Sequence, residues 1–152
     1  MESKTARLSV KGLAKDFVPP LVFTDLQVVI PHRTPEFTRA ALNYAAGLAN
    51  DLNVRVRLVD VHVVPYGVPL DSPAVNPKSL QQRLSKLARD IALRVSAEVV
   101  FARNWEQGFR RVLSPRSTVL LAGPNSRRST SEKRLAARLR KFGHSVIWVN
   151  CD

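Results

Sequence analysis

Two groups of residues carry side chains suited to holding an anion: His32-Arg33, and Arg127-Arg128-Ser129-Thr130-Ser131. Arginine presents forked N–H donors that match phosphate or carboxylate, and hydroxyls beside the free amides of a helix start add more donors. Each group follows an apolar run, Leu26-Gln27-Val28-Val29-Ile30-Pro31 for the first and, after Asn125-Ser126, Val119-Leu120-Leu121-Ala122-Gly123-Pro124 for the second. Both therefore fall in a turn between strand end and helix start, which is where α/β sheets place ligands. A structural explanation competes for the second group. Ser129-Thr130-Ser131-Glu132 has capping-box spacing, which sets a helix start near Ser129 and accounts for the hydroxyls without any ligand.

Catalytic chemistry has little support. His32, His62 and His144 lie on three separate segments, none at metal-ligand spacing with another His or Cys. Ser129, Thr130 and Ser131 have no evident base, and Cys151 stands alone. Asp60 reads as a carboxylate inside a strand, best explained by a partner at the strand end, and Trp105 and Trp148 read as packing residues. No enzyme activity, metal ligand or disulfide is expected.

The elements that must position these groups alternate along the chain. Thr34-Pro35-Glu36 supplies an N-cap, a proline at the first helical position and an acid in the first turn, so a helix is expected over 35–51 with Phe37, Ala41, Tyr44, Ala45 and Leu48 as its apolar stripe. Residues 54–64 begin by alternating and end nearly all apolar, as a strand running into deeper burial would. The Pro-rich stretch 65–75 is a long connection and a candidate lid or binding segment. Asn76-Pro77 caps a second helix with Leu80, Leu84, Leu87 and Ile91 on one face, and a strand follows at 97–102. Asn104 caps a short helix through about Leu113, and the strand at 119–122 leads to the basic helix with Leu135, Leu139 and Phe142 inward. Gly143 stops that helix, and Ser145-Val146-Ile147-Trp148-Val149 closes the chain as a last strand. Strict β-α alternation predicts parallel strands with right-handed crossovers: a three-layer, doubly wound α/β sandwich.

A chain of 152 residues fits one domain, taken here as 21–152, preceded by a basic arm or linker over 1–20. The absence of an apolar membrane-spanning run or signal-like centre leads to the expectation of a soluble, cytoplasmic protein. A formal charge of +12 attracts anions of every kind, and residues 127–141 hold seven Lys/Arg against Glu132 alone. Most such runs are solvated helix faces.

In order and spacing, these segments resemble the universal stress protein family over residues 24–150. The resemblance rests on Val28-Val29-Ile30-Pro31, on Val59-Asp60-Val61-His62-Val63-Val64 with its His-Val, on the long loop before the second helix, on Val119-Leu120-Leu121-Ala122-Gly123, and on Ala137-Arg138-Leu139-Arg140-Lys141 leading into Val146-Ile147-Trp148-Val149. It implies a five-stranded parallel sheet of order 3-2-1-4-5 and a homodimer formed through strand five, at Val146, Ile147, Trp148 and Val149. It also implies ATP or AMP as ligand, with adenine against backbone near Val61 and phosphates on a glycine-rich loop beginning at Gly123. Two departures argue against family-standard ATP binding. Arg33 stands where the family carries an acid, and Gly123 alone remains of the loop glycines.

Three readings follow. The first is a regulatory, ligand-sensing domain taking a nucleotide or other anion through His32, Arg33, Val61, Gly123, Arg127, Arg128, Ser129, Thr130 and Ser131. The second is a module without nucleotide that dimerises or docks on a membrane protein of which it is a cytoplasmic part; Lys4, Arg7, Lys11 and Lys15 suit a tether near an anionic leaflet. The third is nonspecific, salt-sensitive nucleic-acid binding by the basic helix, carried by charge alone. Whether the cofactor is ATP, AMP, another anion or none stays open at this level.

Overall fold

The computed structural model describes residues 25–71 and 75–151; the expected basic arm and part of the 65–75 connection lie outside the described residues. Five strands, β1 (Asp25–Pro31), β2 (Asn53–Val63), β3 (Arg94–Ala102), β4 (Thr118–Pro124) and β5 (Ser145–Cys151), alternate with four helices. The helices are α1 (Pro35–Leu48), α2 (Pro77–Leu87), α3 (Trp105–Val112) and α4 (Ser131–Lys141). All strand pairs are parallel, in the order β3-β2-β1-β4-β5. The doubly wound α/β architecture and strand order are those expected.

Alternate side chains of a strand point to opposite faces, so a sheet covered on both sides needs apolar residues at successive positions. Val28, Ile30, Val56, Leu58 and Leu120 pack with Ala41, Leu42 and Ala45 of α1 on one side. Val29, Val59, Val119 and Leu121 pack with Phe109 of α3 and Leu135 and Leu139 of α4 on the other. Four of the five residues expected on the inward stripe of α1 pack on the core, Ala41 and Ala45 fully buried and Phe37 and Leu48 partly so; Thr38 and Leu42 complete the buried face, and Tyr44 departs, 43% exposed. The hydroxyl of Thr38 meets His32 on that face. Strands β3, β4 and β5 run longer than their apolar cores, because ladder pairing carries β4 and β5 through Pro124 and Cys151. The α4 helix ends as expected at Gly143, whose φ of 94° completes a Schellman turn: its N–H donates to Arg140 O and that of His144 to Leu139 O.

Two glycines set how closely layers meet. A Cβ at Gly108 would stand 2.4 Å from Val61 Cγ1, so α3 sits directly on β2. A Cβ at Gly123 would stand 2.5 Å from the Trp148 ring, which lies over the end of β4. We expect Gly123→Ala to lower stability by about 1–3 kcal/mol through overpacking. A Trp148→Ala background should remove most of that loss, because the clashing ring is gone; urea midpoints of the two single variants and the double variant check both statements.

Candidate functional site

The crossover from β1 leads to one face of the sheet and that from β4 to the other, so the sheet's carboxyl edge opens between them at a topological switch point. His32 and Arg33 leave β1 there and part company. His32 turns to the α1 face, its N–H donating to Val59 O and its Nδ1 lying 2.8 Å from Thr38 Oγ1. Arg33 turns to the opposite face and reaches the start of α4.

The Arg33 guanidinium is enclosed on several sides. Its Nη2 donates to Ser131 Oγ at 3.2 Å, its Nε lies 3.5 Å from Glu132 Oε2, and its central carbon stands 3.5 Å over the Trp105 ring. Ser131 Oγ in turn donates to Glu132 Oε2 at 2.9 Å. The Arg33 and Glu132 side chains are only 8% and 12% exposed, and Arg33 Nε has no hydrogen-bond partner among the described residues. Burial pulls the Arg33 guanidinium below its ordinary value, with the neighbouring carboxylate acting the other way. It still carries its charge at neutral pH.

The expected capping box from Ser129 to Glu132 does not form. Thr130 is the N-cap, accepting from the Lys133 N–H at 3.2 Å, which places lysine where the box needs an acid. Glu132 sits one position earlier and turns inward, drawn to Arg33. Arg33 and Glu132 thus pair across the gap between the end of β1 and the start of α4.

Of the nine ligand residues expected from the sequence, Arg33 and Ser131 meet directly. Thr130 is engaged in capping, Val61 is buried beneath Gly108, and Gly123 is buried beneath Trp148. Arg127, Arg128 and Ser129 are exposed on the β4–α4 loop, where the Arg128 N–H donates to Ser126 Oγ. Trp105 and Glu132 also belong to the site, where the first was expected only to pack and the second to cap. One signal was available. Glu132 is the single acid in a run of seven cations, and Arg33 is a cation where an acid was expected.

On the other side of the edge, His32, Asp60 and His62 share the α1 face at the ends of β1 and β2. Burial raises the Asp60 carboxyl above its usual range, against the pull of His32 and His62. Burial lowers His32, partly offset by Asp60 and reinforced by Arg33. The remaining histidines have structural contacts: His62 meets Phe101 edge-on at 5.5 Å, and His144 Nδ1 accepts from the Ser117 N–H. No group of three or more possible metal ligands occurs among the described residues, and none of their helices is long and apolar enough to cross a membrane.

The four β5 residues expected at a dimer interface are half-buried within their own chain. Val146 and Trp148 join the α3/α4-side core and Ile147 and Val149 the α1/α2-side core, while Trp148 Nε1 donates to Asn150 Oδ1 at 2.9 Å.

The depressed His32 pKa has a definite sign. The unfolded chain binds the proton more readily, so the stability this residue contributes is present above the ordinary histidine value of about 6.5 and is lost as pH falls through the lowered folded value. Asp60 acts oppositely and lower on the scale: its contribution is present below the ordinary carboxylate range and lost as pH rises through its raised value. We expect unfolding free energy to decline from about pH 7 to about pH 5, with His32→Asn showing a shallower slope by up to about 1.4 kcal/mol per pH unit. Urea titrations at the two pH values measure the difference.

No family model and no curated protein sequence matches the chain. Among solved structures, a universal stress protein in complex with cAMP matches over 84% of this chain and 98% of its own, with a TM-score of 0.52 and 14% sequence identity. At that identity the likeness is one of fold: the chain has the five-stranded, parallel α/β architecture of universal stress proteins.

Proposed function

We propose that this chain is a non-catalytic, ligand-sensing domain of universal-stress type, taking a nucleotide or other anion at the β1/β4 switch point through arginines and hydroxyls instead of a glycine-rich loop. The observation that carries the reading is the buried Arg33 beside Ser131, with one guanidinium nitrogen lacking a hydrogen-bond partner. Arg127 and Arg128 stand on the adjoining loop, and the structural neighbour holds a cyclic nucleotide. In this reading Glu132 is the ligand's competitor. An arriving phosphate replaces its carboxylate as the acceptor for Arg33, and the pair sets a threshold that weak anions do not cross.

A second reading, a dimerising or docking module without ligand, is favoured by the same ion pair, which already balances the Arg33 charge. In that case β5, an outer strand of the sheet, is the surface that needs cover.

Calorimetric titration of ATP, AMP and cAMP, beside native mass spectrometry and light scattering of freshly purified protein, separates the two. The sensing reading predicts saturable binding of at least one nucleotide. Binding should weaken about tenfold or more in the exposed double variant Arg127→Glu/Arg128→Glu, and strengthen about fivefold in the isosteric Glu132→Gln, changes of roughly 1.4 and 1 kcal/mol. Absence of binding to both wild type and Glu132→Gln, with an empty dimer in solution, would overturn it in favour of the second.

A further inference from the structure

A cavity of about 470 Å³ opens between α3 and α4 beside the switch point, within the usual size of a small-molecule site. Its apolar wall is built from Phe109, Leu135 and Leu139, which are core residues of the sheet's α3/α4 side. Around the mouth stand Val63, Trp105 and Phe142, exposed by 42%, 39% and 37%. These are three of the five large hydrophobic residues exposed among the described residues. Their convergence on one opening is a patch rather than scatter, and patches of that kind mark binding surfaces.

The polar part of the lining has one sign in excess. Arg103, Arg134 and Arg138 face a single acid, Glu106. Arg103 is engaged, donating through Nη1 to the carbonyls of Val64, Pro65 and Val68, which holds the loop after β2 in place. Arg138 bridges the two helices, donating to Glu106 Oε1 at 3.2 Å, and Arg110 also approaches that carboxylate at 3.9 Å. Glu106 is therefore shared between two cations. Arg134 has no ion pair among the described residues and is exposed at the edge of the cavity.

We propose that the α3–α4 cavity binds a monomeric amphipathic anion, an acyl or aryl carboxylate whose apolar body lies against Phe109, Leu135 and Leu139 and whose acid meets Arg134. An unpaired cation beside a concave apolar surface satisfies both ends of such a molecule. The chain's own amino-terminal arm is a poor occupant, since Lys4, Arg7, Lys11 and Lys15 would face an arginine rim. The site is distinct from the switch point, touching it only through Trp105 and Ser131. Trp105 thus reports on filling through its fluorescence.

Calorimetric titration of the full chain with dodecanoate, dodecanol and dodecyltrimethylammonium tests the proposal, with circular dichroism melts confirming that each variant folds. Dodecanoate should bind one equivalent, shift the tryptophan emission, and outcompete the cationic analogue by about tenfold or more, the ratio that 1.4 kcal/mol represents. Arg134→Glu should remove that preference while leaving dodecanol unaffected, and Val63→Trp, which narrows the mouth, should weaken all three. Equal affinity for the anion and the cation, or dodecanoate binding unchanged in both variants, would overturn the proposal. So would co-sedimentation with phosphatidylglycerol vesicles that Arg134→Glu abolishes, because the patch would then be a membrane surface.

Discussion

The carboxyl edge of this sheet is organised by one buried cation. Arg33 joins residues far apart in sequence, from the end of β1 to the first turn of α4, and lies against the first residue of α3. Enclosing a guanidinium is unfavourable unless charge and hydrogen bonds replace its water. Glu132 supplies the charge, Ser131 a hydrogen bond, and the Trp105 ring covers one face, an attraction strengthened where water is excluded. Because Arg33 depends on all three, the start positions of two helices on one face are fixed relative to the end of β1. The orientation of α4 follows, and with it the width of the gap between α3 and α4.

Steric constraints act alongside that electrostatic one. Gly123 lies against the Trp148 ring, and Gly108 allows α3 to rest on Val61. A glycine that in a phosphate loop would admit a ligand admits an indole here.

Most of the fold was legible because it rests on local signals. Thr34-Pro35, Asn76-Pro77 and Asn104 each cap the helix they announce, and the apolar runs mark all five strands along the chain. Gly143 ends α4 through backbone geometry that few other residues tolerate. The reading failed where a distant partner outweighed a local preference. Serine and glutamate at 129 and 132 have the right spacing for a capping box, but Arg33 draws the carboxylate inward and Thr130 takes the cap. On α1 only Tyr44 departs from the expected stripe, while Phe37, Ala41, Ala45 and Leu48 pack on the core as their spacing implies. The role of Trp105 is not legible locally, because its partner Arg33, just after β1, is remote in sequence.

The central claim is that Arg33 and Glu132 act as one buried unit, and a double-mutant cycle for unfolding tests it most directly. Arg33→Ala and Glu132→Ala alone should each destabilise by about 3–5 kcal/mol, since each strands the other's charge. The double variant should lose less than the two singles combined, with a coupling energy above about 1 kcal/mol. Single losses that simply add, each within about 0.5 kcal/mol of zero as for ordinary surface residues, would contradict the account.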